Sequence, residues 1–213
     1  RLHLVVMAKV PVAGGVKTRL ARDAGTAAAT RFVRAATASL KIIVGRNVPW
    51  RVSLSVAPHN GLVARVWPRG FQRWDQGGGD LGVRMQRIMA LPSPGPVVII
   101  GTDVPDITPA HIRTAFRLLG RHDAVLGPAL DGGYWLVGLR RRPRLLRPFG
   151  DVRWSGPQAL SDTLANLSGA SVAFLETLSD VDSGVDLERC GDPGRVVRKS
   201  RLRLNRGGTT PKS

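Results

Sequence analysis

The plainest signal along the chain is Val97-Val-Ile-Ile100, four apolar β-favouring residues in a row that stop at Gly101-Thr-Asp103. A run that is apolar at every position fits a strand buried on both faces. Arg51–Ala57 instead alternates polar and apolar with period two, which predicts a strand closed by Pro58-His-Asn-Gly61. Leu2–Ala8, Asp123–Gly127, Tyr134–Leu139 and Ser171–Leu175 give the remaining strands. Helical spacing places Phe32, Val33, Ala36 and Leu40 on one face of Thr26–Ile43. A second helix runs from Leu81 through Met89 behind an Asp80 cap, a third from Thr108-Pro109 to Gly120, and a fourth from Pro157 to Leu167. Phe71–Asp80 reads as a glycine-rich loop, and Glu176–Asp186 as an acidic one.

Strands alternating with helices predict an α/β fold: a three-layer α/β/α sandwich around a mainly parallel twisted sheet. Asp131-Gly-Gly133, a hairpin signal leading into Tyr134–Leu139, adds at least one antiparallel strand. No repeat of solenoid length is present.

Composition changes this picture in two places. At 213 residues and 43% hydrophobic, the chain suits one domain, expected over residues 1–194. Residues 195–213 carry seven of the 32 Lys and Arg residues and no acid, and are expected to form a basic, flexible tail. The net charge of +17, with a second basic run at Arg140–Arg144, is compatible with an anionic partner: nucleotide phosphates, nucleic acid or an acidic surface. Cys190 is the only cysteine, so no intrachain disulfide can form and a reducing, cytoplasmic setting is expected. The four histidines lack ligand spacing for zinc, and no apolar run approaches the roughly 20 residues of a membrane span. Residue 1 is Arg rather than Met, so an address upstream stays open.

Chemistry concentrates where strands end. In open α/β sheets ligands collect beyond the carboxyl ends of the strands, which is where Asp103 and Asp106 fall. After the first strand, Lys9–Arg19 combines Gly14 and Gly15 with Lys9, Lys17 and Arg19. Glycines let backbone N–H groups approach an oxyanion, and the bases supply counter-charge. Val16 stands where a Walker A loop needs glycine, so that motif is rejected; an EF-hand is rejected because Gly184 and Gly191 occupy ligand positions. Asp103, Asp131 and Asp182 could meet at one end of the sheet and hold Mg²⁺ or Mn²⁺ against a diphosphate, with Lys17 and Arg19 neutralising the rest. A third acid could orient an acceptor hydroxyl or take its proton.

Five stretches together resemble the DUF2064 family, whose members are glycosyltransferase A-like: Met7–Leu20, Gln76–Met85, Gly101–Asp106, Gly127–Gly138, and Ser179–Asp182 with Asp186-Leu187. The match runs in order over roughly residues 2 to 190. The resemblance implies a nucleotide-diphospho-sugar transferase fold, with the Lys9–Arg19 loop, Asp80 and Arg84 toward nucleotide and phosphate. It implies Asp103 as the metal-binding acid, Asp182 as a late second metal ligand or base, and Asp131 as a catalytic acid. Gly132, Gly133, Tyr134 and Trp154 would face acceptor or sugar. The chain departs from the pattern in having two residues between Asp103 and Asp106, and Gly156 where the family usually has Thr.

The reading that follows is a metal-dependent glycosyltransferase using a nucleotide-activated donor and a small-molecule acceptor. A nucleotidyltransferase that releases pyrophosphate would use the same residues, and related guanylyltransferases share the fold. A non-catalytic polyanion or nucleic-acid binder is the alternative of another class, but 5% aromatic residues and no aromatic platform on a strand count against it.

Overall fold

A computed structural model describes residues 1–10, 17–44, 48–181 and 184–190. The elements in chain order are β1 (Leu2–Lys9), α1 (Thr18–Ala24), α2 (Thr26–Val44), β2 (Trp50–Ala57), β3 (Gln72–Asp75), α3 (Leu81–Ala90), β4 (Val97–Ile100), α4 (Pro109–Leu118), β5 (Ala124–Pro128), β6 (Tyr134–Leu139), α5 (Ala159–Ala165), β7 (Val172–Phe174) and α6 (Gly184–Cys190). The strands form one seven-stranded sheet in the order β3-β2-β1-β4-β6-β5-β7. Only β6 runs against the rest: it pairs antiparallel with both β4 and β5, while every other pair is parallel. The Asp131-Gly-Gly hairpin signal and the buried β4 run therefore both describe what forms, since all four β4 residues are buried.

Two apolar cores sandwich the sheet. Leu4, Val6, Leu54, Val98 and Ile100 meet Ile112, Ala115 and Phe116 of α4 on one face. Val5, Val97, Ile99 and Val137 meet Met85, Ile88 and Met89 of α3 on the other. Adjacent residues of β1 enter opposite cores, as the pleat requires. A smaller cluster joins Leu20 of α1 and Phe32 and Val33 of α2 to Val181.

Three expectations need correction. Gln72–Asp75, read as loop, is an edge strand paired only with β2. Its polar residues lack period-two alternation because one edge strand needs little apolar surface, and charge there discourages pairing with other chains. The end of the Lys9–Arg19 loop is helical: Thr18 and Arg19 open a short helix, Thr18–Ala24, separated from α2 by Gly25 at φ 85°. The end of the acidic loop, Gly184–Cys190, is helical. Gly14, Gly15 and Asp182, and the tail over residues 195–213, lie outside the described residues.

Candidate functional site

β1, β4, β2 and β5 are parallel, so Lys9, Ile100, Ala57 and Pro128 all end at one rim of the sheet. β1 lies between β2 and β4, and the connections leave it in opposite directions, which opens a crevice at the strand ends. Lys17 and Asp103 meet in that crevice: Lys17 Nζ is 3.1 Å from Asp103 Oδ2. The lysine side chain is 8% exposed and the aspartate 51%, so a nearly buried ammonium holds a carboxylate that still faces solvent. Lys17 also sits at φ 51°, ψ 53°, the left-handed region, directly before α1. A residue with a Cβ pays about 1–2 kcal/mol for that conformation, and such outliers gather at ligand sites. Thr102 Oγ1 donates to the other Asp103 oxygen at 3.3 Å.

The acidic segment after β7 is tied to the same place. Leu178 N donates to Pro128 O at 3.1 Å, and Val181 N donates to the Asp103 carbonyl at 3.1 Å. Gly184 N donates to Asp23 Oδ2 of α1 at 3.1 Å. Glu176 is anchored beneath by His111 Nε2 at 2.7 Å and by the Trp135 indole N–H, which donates to its carbonyl at 3.1 Å. His111 Nδ1 accepts from Thr108 N, so Nε2 carries the proton toward Glu176.

On the other side of β1, Gln76 is 3% exposed and its Nε2 donates to Ser55 O at 2.9 Å and Ala8 O at 3.3 Å. This buried amide pins the start of the Gln76-Gly-Gly-Gly-Asp80 loop to the ends of β1 and β2. Asp80 caps α3, accepting from Val83 N at 2.8 Å, as its sequence position predicts. Arg84 Nε donates to Gly79 O at 2.9 Å, and Arg87 donates to Gly78 O at 3.1 Å and to Gln76 O. Asp75 accepts from Gly77 N and from His59, and these bonds hold its carboxyl below the ordinary value. Gln76 and Arg87 have no role in the sequence reading. The available signals were a glutamine directly before a glycine run and an arginine three residues after Arg84, on the same helical face.

Beyond β4, the hairpin carrying Asp131 reaches the same rim. Asp131 is exposed and its Oδ1 accepts from Gly133 N at 2.8 Å, closing its own turn. Gly132, at φ 85°, lies against Pro157: a Cβ there would come within 2.3 Å of the Pro157 carbonyl oxygen. Gly132 O accepts from Leu160 N at 3.0 Å. The close approach that these glycines allow is thus made, at Gly132, by the chain itself. Tyr134 turns its hydroxyl to Thr163 at 3.3 Å, and burial pushes the phenol pKa up. Trp154 stands edge-on to Tyr134, with ring centroids 6.4 Å apart, and its buried indole N–H has no partner among the described residues. Lys9 and Arg19 are exposed.

Asp103 offers one half-exposed carboxylate, and among the described residues no three His, Cys, Asp or Glu side chains cluster to hold a metal. A hard donor of this kind suits Mg²⁺, which is commonly held by one or two carboxylates together with substrate phosphates.

The profile of the family described as "uncharacterized protein conserved in bacteria" (DUF2064) matches residues 40–156. The fold is similar to a provisionally named nucleotide-diphospho-sugar transferase of Desulfovibrio desulfuricans G20, at 25% identity and TM-score 0.82 over 96% of this chain and 97% of that one. It is also similar to the inositol-1-phosphate CTP transferase of T. maritima, at 13% identity and TM-score 0.58 over 93% and 96% of the two chains. Rv0371c of Mycobacterium tuberculosis H37Rv, solved with manganese, matches at 18% identity and TM-score 0.51 over 88% and 96%. A search of curated proteins finds no match. Among the described residues no helix is long and apolar enough to cross a membrane.

Proposed function

This chain belongs to the DUF2064 family, and from that premise we propose that it is a metal-dependent glycosyltransferase, moving a sugar from a nucleotide-diphosphate donor to an acceptor hydroxyl at the β1/β4 crevice. The observation that carries this is the Lys17–Asp103 pair, 3.1 Å apart at the strand ends. Opposite charges held at the ends of parallel strands suit a diphosphate, which needs both a cation beside its oxygens and an acid for its metal.

In this reading Lys17 exchanges its carboxylate partner for a phosphate oxygen as donor arrives. Asp103, with Asp182 as the expected second ligand, would hold Mg²⁺ or Mn²⁺. The chemistry such an ion would supply is charge neutralisation at the leaving phosphate. The bond from the anomeric carbon to the phosphate oxygen breaks, and a bond from that carbon to the acceptor oxygen forms. The acceptor hydroxyl proton passes to a carboxylate, for which Asp131 is the candidate at the rim. Asp131 keeps its turn through Oδ1, which leaves Oδ2 for the proton. Trp154 and Tyr134, with Gly132 and Gly133, would form the wall on the acceptor side. Arg84 and Arg87 would act by fixing the Gly77–Gly79 loop, to whose carbonyls they donate, in place for the nucleotide.

Nucleotidyl transfer is the competing reaction, because cytidylyl-transferring proteins share the fold. The products separate them. Incubation with a panel of nucleotide sugars and Mn²⁺ should release a nucleoside diphosphate; release of pyrophosphate from nucleoside triphosphates instead would replace the proposal. Lys17→Gly should lose donor binding with little change in stability, since glycine relieves the strain at φ 51° but gives up the ion pair to Asp103 and adds chain entropy to the unfolded state.

A further inference from the structure

At the other end of the strands, between one face of β1-β2-β3 and the chain leaving α3, lies a cleft of about 420 Å³ lined by His3, Arg51, Ser53, Gln72, Trp74 and Pro92, among others. That volume falls in the range of small-molecule sites, roughly 300–1,000 Å³. His3 and Arg51 are the second residues of β1 and β2, whereas the rim begins at their last residues, Lys9 and Ala57. The cleft extends from there along the face to Trp74 of β3, and neither Lys17 nor Asp103 lines it.

The sheet face here is polar where a sandwich needs it apolar. On β2, Trp50, Leu54 and Val56 enter the core on one side; Arg51, Ser53 and Ser55 point to the other. The register sets His3 beside Arg51, Ser53 beside Gln72, and Ser55 beside Trp74. His3 is 5%, Ser53 6% and Ser55 0% exposed. His3 Nε2 and Ser55 Oγ have no partner among the described residues. Buried polar atoms are nearly always paired, by protein, water or ligand, and of these two groups His3 lines the cleft, so its unpaired nitrogen marks a wall where a partner can bind.

The electrostatics say what kind of molecule. Burial and then nearby positive charges, Arg141 and Arg51 among them, hold His3 below its ordinary pKa, so the histidine is neutral inside a positive field. The opposite wall is fixed in advance: Arg141 donates to the carbonyls of Pro92 at 3.0 Å, Gly95 at 3.1 Å and Ser93 at 3.2 Å. The lining thus combines the exposed Arg51 cation and polar side chains with the apolar surfaces of Trp74, Leu91 and Pro92. We propose that this cleft is a second binding site, taking a metabolite-sized anion whose phosphate or carboxylate lies on Arg51 and His3 and whose apolar body lies against Trp74 and Pro92.

The test uses the full chain and the Trp74 indole N–H resonance, assigned by its loss in Trp74→Phe. Phenyl phosphate or benzoate should shift it saturably and phenol should not, the tighter of the two acids identifying the headgroup. Arg51→Gln, at an exposed residue, should weaken that binding by about tenfold or more through loss of a charge-assisted bond. Lys17→Met, which disables the rim, should leave it unchanged. No shift with either acid would mean that the cleft holds water only, and would overturn the proposal. So would an effect of phenol equal to that of the acids, an undiminished response in Arg51→Gln, or a response lost in Lys17→Met.

Discussion

Replacing Gly132 by alanine separates two explanations for the glycine pair after Asp131. The residue sits at φ 85°, and a Cβ would lie 2.3 Å from Pro157 O and 2.6 Å from its Cα. Both obstacles are backbone atoms, so no side-chain rotation relieves the overlap. The left-handed conformation costs a non-glycine residue about 1–2 kcal/mol, and forcing atoms into filled space costs about 1–3 kcal/mol more. The bond from Leu160 N to Gly132 O, at 3.0 Å, stretches as Pro157 is pushed away. For a chain of this size each kcal/mol lowers the midpoint by about 2–4 °C, so Gly132→Ala should melt roughly 5–15 °C lower. The assay is thermal unfolding followed by circular dichroism, with urea unfolding for the free energy. If Gly132 instead exists to admit a sugar, the alanine variant would melt within about 2 °C of the parent and lose only acceptor binding. That result would refute the packing argument.

Two further outcomes follow from the same bookkeeping. Gln76→Ala strands the buried carbonyls of Ala8 and Ser55, and should cost about 1–3 kcal/mol in urea unfolding and raise hydrogen exchange at residues 77 to 79. Arg153 donates to Asp162 through its backbone and guanidinium, and these bonds depress the Asp162 carboxyl to about 2. Because the folded value is below the unfolded one, the stability gained is present above about pH 4 and lost as pH falls toward 2. Melting curves of the parent and Asp162→Ala should differ at pH 6 and converge near pH 2.

Much of the frame was legible because its signals are local. Val97–Ile100 reads as a strand buried on both sides, and Asp131-Gly-Gly announces the hairpin that makes β6 antiparallel. Asp80 and Thr108 cap the helices that their positions predict. What escaped depends on partners distant in sequence. β3 exists because β2 offers it an edge, and its own residues, Gln72-Arg-Trp-Asp75, carry no alternation. Gln76 is a site-shaping residue only because its amide reaches carbonyls of two other strands. The meeting of Lys17 and Asp103 was expected from the rule that ligands collect at strand ends, but the left-handed backbone at Lys17 has no sequence signature. His3 was set aside for lacking metal-ligand spacing, although its interest lies in burial without a partner.

In the proposed reaction Asp103 is the acid through which a divalent cation would join the nucleotide to the protein. Calorimetric titration of nucleoside diphosphates, with and without Mn²⁺, on the parent and on Asp103→Ala tests this directly. The account predicts that Mn²⁺ tightens binding to the parent by at least about tenfold and has no effect on the variant. Equal Mn²⁺ enhancement in both proteins would contradict it.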